Sequence, residues 1–330
     1  MDSKLPAVIF GTSCLGNLYK ATTFYHKKEI VAACVNAMGG DLMFDSAGKY
    51  GAGMSLETLG RCLSQLGVSP QKVRISNKLG WFRVPLRGTE PTFEKDVWFG
   101  LKYDAVQKIS YEGILECYYQ GENLLGDYHS DYVSVHDPDE YLSAAHDPND
   151  YVTRFKNILE GYKALHDLKR QGLVKYIGIG SKDWRIIQLI SMNVTLDYVM
   201  IANSLTVCSH PAELLKFVRQ LADKKIAVIN SAIFNGGFLT GGEYYNYQKI
   251  NTQEAYGAGL LSWRHSFFTI CKKYNILPEE ACAVFAIQVP GVQSIALSTT
   301  RPEKVITNLN LINKKIREEF WTEVSALQPH

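Results

Sequence analysis

Short apolar runs alternate along this chain with longer segments in which apolar residues recur every three or four positions. The runs are PAVIFG (6–11), DLMFD (41–45), KVRISNK (72–78), DYVSVHD (131–137), KYIGIGS (175–181), DYVMIANS (197–204), IAVINS (226–231) and QSIALST (293–299). They are rich in Val, Ile and Phe, the pattern of strands in a parallel sheet covered on both faces. Between them the spacing predicts helices over 28–38, 55–66, 104–119, 154–171, 184–192, 211–224, SWRHSFFTICKKY with PEEACAVFAIQ (262–288) and 302–312, each laid against a sheet by one apolar face.

Eight strand–helix alternations predict an α/β fold of the (β/α)8 TIM-barrel kind, with residues 1–330 forming one domain. A doubly wound open sheet would accommodate the same elements. However, the first strand runs into GTSCLGN rather than GxGxxG, and no acidic residue ends a second strand in the dinucleotide-binding manner. Seven runs turn polar at or near their C-terminal ends, at Asp45, Lys78, His136, Ser181, Asn203, Ser231 and Ser298. In a parallel barrel these ends converge on one rim, where active sites form. Two connections, 81–103 and 236–261, are long and rich in aromatics and glycine, so they are expected to wall a substrate pocket.

Composition narrows the function. The 330 residues carry 35 basic and 33 acidic side chains with no block of one sign, which argues against a nucleic-acid partner. No stretch of about 18 apolar residues predicts a membrane span. The opening MDSKLPAVIFGTS lacks the features of a secretory signal. Seven cysteines, never closer than eleven apart, support neither a disulfide framework nor a metal knuckle and fit a cytoplasmic protein. A monomer or small homo-oligomer acting on a small molecule is the expectation.

Asp45, Tyr50, Lys78 and His136 make a workable proton-transfer device. A lysine ammonium close to a tyrosine lowers the phenol's pKa, and an aspartate keeps the lysine charged and oriented. The tyrosine then exchanges a proton with a carbonyl or hydroxyl oxygen that the histidine positions. Such a site holds no nucleophile and needs no metal, so it suits hydride transfer with a separate cofactor. A metal hydrolase or sugar isomerase using His136, Asp137 and Asp139 is the alternative, disfavoured because no second His–carboxylate cluster ends another strand.

Those four residues, in order and strand position, resemble the catalytic tetrad of the aldo-keto reductase superfamily, and the resemblance covers essentially the whole chain. FGTSCLGNLY, LKYD, VHDPDEY, YIGIGSKDW and FNGGFLTGG are similar to the branch containing D-threo-aldose 1-dehydrogenases, L-fucose and L-galactose dehydrogenases and a pyridoxal 4-dehydrogenase. The resemblance implies a barrel that binds NAD or NADP without a Rossmann domain. It makes Tyr50 the general acid/base, tuned by Lys78 and Asp45, with His136 orienting the substrate oxygen. It implies oxidation of an aldose at C1 to a lactone, or else NADPH-dependent reduction of aldehydes and ketones. A cofactor-sensing channel subunit is the non-enzymatic reading.

The same resemblance places the cofactor on Gly11, Thr12, Asp45, Ser181, Asn203 and Ser231, on the loop Phe234, Asn235, Gly236, Gly237 and Leu239, and on Ser298, Thr299, Thr300, Arg301, Lys304 and Asn308. It places substrate against Tyr19, Tyr50, Trp81, His136 and Phe234. Three positions depart from the family pattern. Gly180, Ser181 and Lys182 stand where many members carry Ser-Asn, Ser231 where many carry a stacking tyrosine, and Ser298 where a lysine is frequent.

Overall fold

The computed structural model describes residues 5–38 and 41–327. Every predicted run becomes a strand. They are β1 (Val8–Gly11), β2 (Leu42–Ala47), β3 (Val73–Leu79), β4 (Tyr132–His136), β5 (Tyr176–Ser181), β6 (Tyr198–Ala202), β7 (Ala227–Ser231) and β8 (Val292–Leu297). All pairings are parallel, and the sheet closes with β1 between β2 and β8, giving the (β/α)8 TIM barrel. Ile9, Met43, Tyr132, Tyr198, Met200 and Ile229 fill its interior. Tyr198 needs a glycine beside it: a Cβ on Gly178 would lie 2.5 Å from its ring.

The outward faces of β4, β5 and β6 (Val133, Val135, Ile177, Ile179, Val199, Ile201) pack under the helices that follow them. Those are α5 (Pro148–Arg170), α6 (Trp184–Ser191) and α7 (Ala212–Asp223), with α3 (Tyr111–Leu125), which precedes β4, packed beside them; α1 (Phe24–Met38) and α2 (Met54–Gln65) come earlier in the chain, and the short α4 (Pro138–Ser143) lies between β4 and α5. The polar side chains at three helix starts hold open N–H groups, as caps do. Ser110 accepts from Gly113 N, Asp147 from Asn149 and Asp150 N, and Asp183 from Arg185 N.

Two predicted boundaries move. Residues 104–107 are not the start of a helix, because Tyr103–Gln107 pairs antiparallel with Trp81–Pro85, Phe82 opposite Val106. The long connection after β3 is therefore a hairpin framing a coil. The two segments predicted within 262–288 become α8 (Ala255–Lys273), which starts seven residues earlier than predicted, and α9 (Pro278–Gln288), which Pro278 opens because it suits a first turn but not a helix interior. The connection after β7 also holds a 3-10 turn (Asn235–Thr240) and a small hairpin (Tyr244–Tyr245 with Gln248–Lys249). The chain finishes with α10 (Lys304–Asn310) and α11 (Glu318–Ser325). All seven cysteines are buried and unpaired. Among the described residues no helix is long and apolar enough to cross a membrane.

Candidate active site

The strand register assembles the predicted device. In β3, Ser76 and Lys78 are two apart and face the same way, and Ser76 stands opposite Asp45 of β2. The Asp45 carboxylate accepts from Ser76 Oγ at 3.0 Å and pairs with Lys78 Nζ at 2.5 Å. Lys78 also donates to Ser46 O at 3.1 Å. Both charged residues are only 3% exposed, so neither is a solvated surface group. Asp45 lies within β2 rather than at its end, since the strand runs on to Ala47.

Tyr50 is seated by a tight coil between β2 and α2. Gly51, Ala52 and Gly53 are all left-handed, with φ of 60°, 53° and 79°. That turn lets the backbone of Tyr50 and Gly51 lie directly against Gly16. The Tyr50 ring sits 4.7 Å from Lys78 Nζ, edge-on to His136 at 5.6 Å, and 5.7 Å from Trp98. His136, ending β4, is 5% exposed. Its Nδ1 has no partner among the described residues, and its Nε2 lies 3.6 Å from Asp137 Oδ2. Burial outweighs the Asp137 charge and drives the imidazole well below its usual pKa, so His136 is neutral.

Tyr50 differs from the expectation. Burial and the Asp45 and Asp137 carboxylates push its phenol well above the usual range, against the opposing pull of Lys49. Sequence reasoning counted Lys78 alone and took no account of the carboxylates facing the same ring.

One cavity of about 470 Å³ runs across this rim. Asp45, Tyr50, Lys78 and His136 line it, with Tyr19 and Phe234 of the expected substrate residues. Gly11, Ser181, Ser231, Gly236, Gly237, Ser298, Thr299, Thr300, Arg301, Lys304 and Asn308 line its other parts. Thr12, Asn203, Asn235, Leu239 and Trp81 do not. The Thr12 hydroxyl is turned inward to Asp45 O, and the Asn235 amide is engaged by Asn203 O and Asn246. Leu239 belongs to an apolar cluster with Phe238 and Trp263, and Trp81 packs against Phe93. Asn203 follows the lining residue Ala202, and both polar atoms of its buried amide lack partners. Ser181 donates to Asp139 at 2.6 Å. The 234–239 loop already uses three of its N–H groups internally: Asn235 on Ala232 O, Gly237 and Leu239 on Phe234 O.

Sequence reasoning missed Lys49, Glu94 and Tyr247, which also line the cavity beside Asp137 and Lys182. Their only local signal is a lysine directly before Tyr50. Among the described residues no group of three or more His, Cys, Asp or Glu could hold a metal ion.

Comparison with known proteins agrees with this geometry. The chain is 27% identical to pyridoxal 4-dehydrogenase of Microbacterium luteolum and 23% identical to D-threo-aldose 1-dehydrogenase of a Pseudomonas species. Each match covers 97% of this chain and 93% of the relative. Its fold is that of glycerol dehydrogenase from Gluconobacter oxydans (TM-score 0.70, 16% identity, 99% of this chain and 92% of that one). It is also that of an aldo-keto reductase from Bacillus halodurans (TM-score 0.67, 17% identity, 97% and 91%). Residues 7–329 match the aldo/keto reductase family model, and the chain belongs to that family.

Proposed function

We propose that this aldo/keto reductase, an oxidoreductase whose cofactor is NAD(P)(H), oxidises a sugar at C1 to the lactone. The proposal treats residues 1–330 as one catalytic domain. The observation that carries it is the wall around Tyr50. Glu94, Asp137, Lys182, Tyr19 and Tyr247 line the cavity there and present donors and acceptors together, as a ring of vicinal hydroxyls requires. The Tyr19 hydroxyl has no partner among the described residues, and an apolar aldehyde would leave it so.

In this reading Tyr50 takes the proton of the C1 hydroxyl, and neutral His136 hydrogen-bonds the same oxygen. Asp45 holds Lys78 against the Tyr50 ring, 4.7 Å from its centre. The nicotinamide, when bound, supplies the hydride acceptor for C1. The unpartnered Asn203 amide suits a carboxamide, and Arg301 with Lys304 supplies positive charge for phosphate. A second reading, NADPH-dependent reduction of aldehydes, rests on the raised pKa of Tyr50. A phenol held protonated is ready to donate to a carbonyl oxygen.

Absorbance of reduced nicotinamide separates the two. NAD⁺ or NADP⁺ with L-fucose, L-galactose, D-arabinose or pyridoxal is expected to give turnover with a sugar. Consumption of NADPH with simple aldehydes only would move the protein to the second reading. Tyr50→Phe is expected to lower kcat by about 10²–10⁴-fold, and near-normal turnover in that variant would remove Tyr50 from the chemistry.

A further inference from the structure

Lys49 is buried at 2% exposure, and three carboxylates from two other segments converge on its single ammonium. Glu94 Oε1 lies at 2.7 Å, Asp137 Oδ2 at 3.1 Å and Glu140 Oε2 at 2.7 Å. The ammonium donates hydrogen bonds to Asp137 and Glu140 and makes an ion pair with Glu94. The partners are 45, 88 and 91 residues away in sequence and belong to different loops of the rim. Each loop also carries a wall of the proposed reaction centre. Lys49 precedes Tyr50. Glu94 takes the Trp98 indole N–H on its second oxygen at 2.7 Å, and Trp98 packs on Tyr50. Asp137 follows His136 and is itself left-handed at φ 46°, a conformation an L-residue keeps only when its surroundings impose it.

We propose that Lys49 is a positioning residue: by binding Glu94, Asp137 and Glu140 at once, it locks the loops carrying Tyr50, Trp98 and His136 into one arrangement. Lys182 does not duplicate it. Lys182 is more exposed and makes one short contact, to Glu140 at 2.5 Å, with Asp137 at 3.7 Å and Glu94 at 3.9 Å. The proposal rests on Tyr50 and His136 forming the reaction centre only for its kinetic consequence; the locking of the loops is independent of it.

The test compares Lys49→Met and Lys49→Arg with the unmodified full-length protein. Amide hydrogen exchange reads the locking without any substrate. In Lys49→Met, exchange is expected to quicken in all three loops (48–53, 92–99 and 136–141) and to stay unchanged in β5 and β6. In Lys49→Arg, which restores a multidentate cation, protection is expected to return in part. Kinetics then reads the consequence. Lys49→Met is expected to lose about ten- to a hundredfold in kcat, the scale of a misplacement approaching 1 Å, with the affinity for NADPH unchanged within twofold.

The pH limb belonging to Tyr50 is expected to move upward. That ring also faces Asp45, Lys78, Glu94, Asp137, His136 and Tyr247, and removing Lys49 leaves the carboxylates less opposed. Unchanged exchange in the three loops overturns the proposal. Quickened exchange with unchanged kcat removes the kinetic role and leaves the lock. Normal turnover in Tyr50→Phe would instead indict the proposed reaction centre. Should Lys49→Met fail to fold, Glu94→Gln with Glu140→Gln removes two of the three partners. Unchanged exchange in that double variant overturns the proposal equally.

Discussion

Gly16 is where stability and turnover are tied to one close contact. A Cβ added there would lie 2.7 Å from the Tyr50 carbonyl carbon, 2.8 Å from its oxygen and 2.9 Å from Gly51 N. All three atoms are backbone, so no side chain can swing aside. The nearest contact falls short of the 3.4 Å of ordinary packing by about 0.7 Å, and Gly16→Ala must open the seat of Tyr50 by that amount. Gly16 does not use the left-handed region, so alanine brings no backbone strain of its own and the effect isolates the contact.

Overpacking of this kind costs about 1–3 kcal/mol. Unfolding entropy near 2.1 cal/mol/K per residue, over 330 residues, converts that into a fall in Tm of about 1.5–4 °C. A displacement near 1 Å in a positioned group costs up to about a hundredfold in rate, so kcat is expected to fall about ten- to a hundredfold with KM for the cofactor unchanged. Gly88→Ala is the control, since its nearest neighbour would be 3.7 Å away. Thermal unfolding and steady-state kinetics on the two variants suffice. A lowered Tm with full turnover would show that the position of Tyr50 does not set the barrier. An unchanged Tm would refute the contact itself.

Three further outcomes are expected. Burial and Asp137 raise the Asp139 carboxyl from 3.8 to about 6. The folded state therefore holds the extra proton, and stability falls as pH rises from about 4 to 6, by at most about 3 kcal/mol. Asp139→Asn should match the parent in Tm below pH 4 and exceed it above pH 6; a difference independent of pH would refute the assignment. Arg301→Ala should raise KM for NADP more than for NAD if Arg301 grips the 2′-phosphate, and equal changes would remove that role. Near Tyr50 the ion-pair cluster of Lys49 and Lys182 with Glu94, Asp137 and Glu140 carries one negative charge in excess. A carboxylate held about 7 Å away at an effective dielectric of about 20 would lose ~2 kcal/mol. D-galacturonate should thus fall about thirtyfold below D-galactose in kcat/KM, and parity would refute that field.

The barrel was legible because parallel strands buried on both faces must be apolar throughout, so each run declared itself and its polar end marked the rim. The Asp45–Lys78 pair followed from the same rule, because a charged residue in such a strand needs a partner nearby. Residues 104–107 misled for a physical reason: four residues are too few to separate a period of two from one of 3.6, and the partner strand lies some twenty residues back. The resemblance puts Thr12 and Asn235 at the cofactor, but the Thr12 hydroxyl donates to Asp45 O and the Asn235 amide to Asn203 O and Asn246 Oδ1 instead of facing the cavity. Lys49 left no periodic trace, since its three partners lie 45 to 91 residues away and meet it only once the barrel closes.

The same closure explains why the lysine–tyrosine rule ran the wrong way. Lys78 is paired with Asp45 at 2.5 Å, so from the ring the two form a dipole, and a dipole's influence decays faster than that of a free cation. Burial is the largest cause that raises the phenol, the Asp45, Asp137 and Glu94 carboxylates add to it, and Lys49 opposes them. The aspartate pinned by Lys49 is therefore also one that loads the tyrosine with its proton. In the proposed arrangement one ammonium acts on both loop geometry and acid strength, pinning the loops and opposing the carboxylates that raise the phenol, so a substitution at Lys49 is expected to alter both. For a site that must both place and protonate an oxygen, that coupling explains why a buried lysine with three ionic partners occupies a position where an apolar side chain would pack at lower desolvation cost.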